Sequence, residues 1–232
     1  MMDPLQELYP FLHGQAKNSQ REKMTLLESV RQKSAESRNV KAQFFAVHAE
    51  ALVSMAAALA AVYQIGGVLY TMGNGGSSCD ADHLAVEFMH PVTTGRPALA
   101  AHSLVSDRAM LTAVGNDVGF QHVFLRQLTA LARQGDALFG FSTSGNSTNL
   151  MAAYRKAREI GMVTFGLAGM QGGEMQTSGL VDYLLVVETD SIHRIQECHV
   201  TAFHILWDLV HTILADRRGD LQAEVTEDAL RG

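Results

Sequence analysis

Cysteine is nearly missing from this chain: Cys79 and Cys198 are the only two in 232 residues, too few for a metal cluster of their own and without the spacing of a disulfide framework. A reducing, cytoplasmic setting is expected. Also lacking is any Lys/Arg-rich run, and the formal charge is −6, so no electrostatic footprint for a phosphate backbone is present and nucleic acid is not an expected partner. The opening MMDPLQELYPFLHG has neither the basic nor the long apolar part of a signal peptide. No stretch reaches the roughly 18 uncharged apolar residues that a spanning helix needs, so no membrane partner is expected; residues 51–68, which follow Glu50, read as a packed helix. Solenoid repeats and low-complexity linkers are absent too.

What is present is the composition of a folded domain, with 47% hydrophobic and 18% charged residues. Residues 1–24 are mixed and turn-prone at Pro10 and Gly14. Residues 24–65 are rich in Ala, Leu, Glu and Lys and carry neither Gly nor Pro, which favours one or two long helices. The Ala-rich part is more apolar than a solvent-facing helix should be, which points to a subunit interface or to burial within its own domain. From residue 68 the pattern becomes short apolar runs ending in Gly, Ser or Asn, each followed by a helical stretch. The runs at 68–72, 98–103, 137–141, 163–167 and 183–187 predict five strands of an open, doubly wound parallel α/β sheet. A last helix is expected over 192–217, with Ile195, Phe203, Leu206 and Leu209 on its apolar face.

Two loops carry chemistry. Ser142-Thr143-Ser144-Gly145-Asn146-Ser147 follows the third strand and precedes a helix. Unpaired N–H groups and the positive end of the helix dipole meet hydroxyl donors there, an arrangement that holds a phosphate monoester without a lysine. Helix capping explains one or two such residues, but not five in six positions. The second loop, Gly73-Asn74-Gly75-Gly76-Ser77-Ser78, has Ser78 where a dinucleotide fingerprint has glycine, and no ribose-binding acid follows the second strand. Its amides suit the body of a sugar.

On the next helix His83 and Glu87 stand four residues apart, on one face. Gln196 and His204, eight apart, share a broad face of the last helix. Imidazole, carboxylate and amide donors suit a zinc-like divalent ion, provided the two helices converge at the C-terminal edge of the sheet. Asp80, Asp82, Glu197, His199 and His211 compete for the same role. Aldose–ketose isomerisation needs what such a set offers: a carbon base, an acid for the oxygens and a holder for the oxyanion.

Five separated motifs resemble the phosphoheptose isomerase branch of the SIS (sugar isomerase) family. They are Gly73 to Ser77; Cys79-Asp80-Ala81 with His83 and Glu87; Val114-Gly115-Asn116-Asp117 with Gly119 and Phe120; Ser142 to Ser147; and Arg194-Ile195-Gln196-Glu197 with His199. The resemblance covers roughly residues 40–216. It implies a flavodoxin-like SIS fold at 67–218, an N-terminal helical extension for oligomerisation at 1–66, a tail at 219–232 and a homotetramer. The implied reaction converts sedoheptulose 7-phosphate to a heptose 7-phosphate. Zinc would be held by His83, Glu87, Gln196 and His204, with Glu87 and His204 as base and acid. Asn74, Gly75, Gly76, Ser77, Asn116, Asp117 and Gln196 would line the sugar site, and Ser142, Thr143, Ser144 and Ser147 the phosphate.

Three departures bear on the substrate. Phe88-Met89-His90-Pro91 replaces a segment in which the family tends to have arginine, a contact that Arg96 could take over; His193 stands where the family has aspartate; and Ser78 stands where it often has histidine. The alternative from another class is a non-catalytic SIS tetramer that binds a partner protein, as the replication-initiator-associating proteins do. A sugar-phosphate sensor is a third reading, disfavoured because no DNA-binding module precedes the domain.

Overall fold

The structure is a computed structural model that describes residues 19–92 and 95–216. The turn-prone start and the tail lie outside the described residues. Helix α1 is Ser19–Gln64, a single helix where one or two were expected. It ends at Gly66, whose φ of 78° lets the Gly66 and Gly67 N–H groups turn back onto the carbonyls of Tyr63 and Val62.

The chain divides into two compact units, Met1–Asn39 and Val40–Gly232. In the first, α1 exposes Met24, Leu26 and Val30. In the second it buries Phe44, Leu52, Met55 and Leu59, so residues 40–64 help build the core of the unit that holds the sheet.

That unit continues with β1 (Leu69–Gly73), α2 (Gly76–Met89), β2 (Ala101–Ser103), α3 (Arg108–Asp117), a 3-10 turn, α4 (Val123–Leu131), β3 (Ala137–Ser142), α5 (Thr148–Ile160), β4 (Val163–Gly169), the short α6 (Gly173–Thr177), β5 (Tyr183–Val187) and α7 (Ile192–Asp216). All four strand pairings are parallel, in the order β2-β1-β3-β4-β5. This is the flavodoxin-like order, whose direction of winding reverses between β1 and β3; ligands of such sheets bind outside the strand ends at that reversal. Both loops singled out above sit there, one after β1 and one after β3.

Alternation along the strands makes two cores. Leu69, Phe139, Phe141, Phe165 and Leu167 face α1, α2 and α7, whereas Tyr70, Met72 and Leu138 face α4 and α5. Each fully buried side chain of this size contributes about 1.5–3 kcal/mol. Gly140 and Gly166 are register partners in β3 and β4, and a Cβ on either would lie within 3.0 Å of the Tyr154 hydroxyl, which donates to the Phe165 carbonyl at 2.7 Å. The glycines make room for that ring.

Two helices, Glu22–Gln64 and Ile192–Ala215, are long and apolar enough to cross a membrane by length and composition, against the expectation that no stretch would be. From α7, Ile195, Phe203, Leu206 and Val210 are buried in the same core as the α1 residues.

Candidate active site

The loop after β3 is built on itself. Gly145, at φ 68°, donates its N–H to Ser142 Oγ at 3.0 Å, and the Ser142 and Ser147 hydroxyls are 3.3 Å apart. A Cβ on Gly145 would lie 1.9 Å from the Gly172 carbonyl oxygen, so only glycine lets the loop lie against the start of α6. Asn146 fixes the other side: its amide donates to the Ser144 carbonyl at 3.1 Å, and its Oδ1 accepts the Glu174 N–H at 2.8 Å. Ser147 occupies the N-cap of α5 but makes no capping hydrogen bond. Capping therefore does not account for its hydroxyl, whose neighbour is the Ser142 hydroxyl.

The loop after β1 is tied to it by a reciprocal amide pair: Asn74 Nδ2 donates to Asn149 Oδ1 at 2.8 Å, and Asn149 Nδ2 donates to Asn74 Oδ1 at 2.9 Å. Gly76 has no room for a side chain because the Gln196 amide lies where its Cβ would be, with Nε2 2.2 Å from that position. Ser77 is buried beside it. The two loops, with Gln196, thus form one cluster at the C-terminal edge of the sheet. Asn116 and Asp117 hydrogen-bond to each other at 2.8 Å at the exposed end of α3, and make no hydrogen bond to either loop within the chain.

A second cluster lies further along α2, where that helix packs beside α7. His83 Nε2 is 3.1 Å from Glu87 Oε1 and 3.4 Å from His204 Nε2. One ligand atom from each of the three lies within 4.8 Å of the others. Burial, and after it the neighbouring His83, hold the His204 imidazole below its ordinary value against the pull of Glu87. A neutral imidazole is the form that ligates a metal or accepts a proton. Two imidazoles and a carboxylate are a fitting set for a divalent ion with an open position.

Gln196, the fourth residue expected in this set, lies on α7 eight residues before His204, with its amide against Gly76. α2 and α7 run side by side from Gly76 and Gln196 at the sheet's C-terminal edge to His83 and His204 further along. Beside His83 opens a groove of about 740 Å³ lined by Cys79, Asp82, His102, Ser103 and Ser106 among others.

The competing residues separate by burial. His199 is fully buried with Nε2 3.2 Å from the Ala168 carbonyl, and burial pushes its imidazole down to about 4. His211 is enclosed by Phe88 and Trp207. Asp82 accepts the Ser103 and Ser106 hydroxyls at 2.5 and 2.8 Å. Asp80 is buried, and its carboxyl is pushed up to about 6 by burial, with His83 opposing. His193 is exposed in the first turn of α7.

Known proteins carry the same plan. A SIS-domain family model matches residues 34–169. A phosphoheptose isomerase of Solidesulfovibrio magneticus is 46% identical over 175 residues, 75% of this chain and 84% of its own length. That of Aquifex aeolicus is 37% identical over 192 residues, 83% of this chain and all of its own. The chain belongs to the SIS-domain family, in its phosphoheptose isomerase branch.

Among solved SIS structures, the phosphoheptose isomerase of Neisseria gonorrhoeae superposes with a TM-score of 0.75 at 38% identity, covering 80% of this chain and 98% of that one. The Vibrio vulnificus NanR protein, at 13% identity, covers 97% of this chain and 79% of its own with a TM-score of 0.55, which shows a shared SIS fold alone. Two residues of this SIS domain escaped sequence reasoning. Asn149 stands two positions past Ser147, and an amide so close to a loop–helix junction was the available signal. Trp207, one turn beyond His204, donates its Nε1–H to the Glu87 carbonyl at 2.8 Å; it is the only tryptophan in the chain.

Proposed function

We propose that the protein is an aldose–ketose isomerase acting on a phosphorylated sugar, with sedoheptulose 7-phosphate, giving a heptose 7-phosphate, as the expected substrate. The observation that carries this reading is the meeting of His83, Glu87 and His204 within 4.8 Å beside an open groove, in a chain of the phosphoheptose isomerase branch. A scaffold that only binds a partner protein has no use for that juxtaposition.

In this reading Glu87 removes the proton from the hydroxyl-bearing carbon next to the ketose carbonyl and returns it to the neighbouring carbon. His204 delivers a proton to the former carbonyl oxygen and takes one from the adjacent hydroxyl, so the enediol forms and collapses with no net gain or loss. His83, Glu87 and His204 would hold a divalent ion, zinc by the donor chemistry, which supplies Lewis-acid polarisation of the carbonyl when bound. Ser142, Thr143, Ser144 and Ser147 hold the phosphate, and Asn74, Gly75, Gly76, Ser77 and Gln196 the sugar, with Asn116 and Asp117 assigned to the same site. Gln196, whose amide lies against Gly76, would be the fourth ligand as well as a sugar contact.

The separation of the two clusters along α2 supports a homotetramer in which some residues serve a neighbouring subunit. Val47, Val53 and Ile65, exposed on the second part of α1 at 75%, 52% and 74% and at its end, are apolar surface for such an interface. A cytoplasmic setting without a nucleic-acid or membrane partner fits the two free cysteines and the packed helices.

The test is aldose formation from sedoheptulose 7-phosphate with and without added zinc. Turnover that rises with zinc is expected. Absence of turnover on every C5 to C7 ketose phosphate would return the reading to the partner-binding tetramer.

A further inference from the structure

Glu87 sits in the last turn of α2, where helical carbonyls lose their partners and the backbone tends to fray. Here the carbonyls find distant or capping donors. That of Val86 accepts the His90 N–H at 2.8 Å, that of Phe88 the Leu99 N–H at 2.8 Å, and that of Glu87 the Trp207 indole N–H at 2.8 Å. Trp207 is held in turn. The Arg96 guanidinium carbon lies 4.5 Å from the indole centroid, and Arg96 Nη2 donates to Asp208 Oδ1 at 2.6 Å.

We propose that Arg96 is a positioning residue for Glu87, acting through Trp207: its guanidinium pins the indole, whose N–H pins the backbone that carries the base. The proposal rests on Glu87 being the base, as argued above. A plain surface ion pair with Asp208 is the simpler account, and such pairs contribute little. The burial speaks against it. The Arg96 side chain is only 24% exposed against 56% for Asp208, and its Nη1 is covered without a hydrogen-bond partner among the described residues, a loss of hydration that a solvent-facing pair does not incur.

The single tryptophan makes the clamp observable, because emission reports Trp207 alone. In Arg96→Ala the emission shifts, and kcat falls about 10-fold with KM within about 2-fold, since a displaced base costs rate rather than binding. Arg96→Lys restores part of both, its ammonium still resting on the indole. Trp207→Phe keeps most of the ring, lacks the N–H, and loses kcat to a similar extent; adding Arg96→Ala to it costs nothing further. Unshifted emission in Arg96→Ala overturns the contact, and a shift with unchanged kcat overturns the positioning role. Should Arg96→Ala fail to fold, Arg96→Lys carries both readouts and Trp207→Phe the kinetic one. Wild-type protein that turns over no ketose phosphate would remove Glu87 as the base, a failure distinct from that of an active but insensitive Arg96→Ala.

Discussion

The loop at the end of β3 is held by its own N–H and hydroxyl groups and by the start of α6, and an amide pair, Asn74 with Asn149, ties the β1 loop to α5, the helix that follows the β3 loop. His83, Glu87 and His204 have no such local frame. Their geometry depends on two helices, 121 residues apart in sequence at the His83–His204 contact, lying in one register. In the proposed function the loop region binds the substrate, while the helix region is assembled by packing and carries the titratable groups. Damage to the first should therefore appear as lost affinity, and damage to the second as lost rate.

The strongest way to break this division is Glu87→Gln. It keeps the shape and removes the base, so kcat should fall about 1000-fold while inorganic phosphate binds as in wild type by calorimetry. A large loss of phosphate affinity instead would merge the two regions into one. Gly145→Ala attacks the other side: a Cβ there meets the Gly172 carbonyl and demands a positive φ. Strain of this kind should weaken phosphate binding about 10-fold and raise KM, with kcat changed less than KM.

Legibility in the sequence followed the same line. Every strand lies within three residues of its expected bounds, because the apolar runs and their glycine stops are local signals; β2 begins at Ala101 rather than 98 because register pairs Leu69 with Ala101. The loop residues were readable for that reason too. The helix cluster was readable only in part. Helical periodicity put Gln196 and His204 on one face, but only the packing of α2 against α7 sets Gln196 beside Gly76 and His204 beside His83. Nor could spacing tell His199 and His211 from His204, since only packing shows that the first two are enclosed.

A last comparison sharpens the contrast by stability alone. His199 stays neutral in the fold down to about 4, whereas in the unfolded chain it takes a proton below about 6.5. The unfolded state thus binds more protons in that window, and stability falls as the pH is lowered through it, by about 3 kcal/mol for this group. Asp80 works in the opposite sense: it keeps its proton in the fold up to about 6, so stability falls as pH rises from about 4 toward that value. Comparing thermal melts at pH 7 and 4.5 between wild type and His199→Gln isolates the first effect. The variant should lose less stability on acidification, and equal losses would show that His199 is not enclosed as described.

The Asn74–Asn149 pair has a consequence for how this chain can vary. Each amide offers the other a donor and an acceptor, so aspartate at either position alone removes a donor and sets oxygen against oxygen. Two residues 75 apart in sequence thereby act as one unit, and a change at either is felt at both loops.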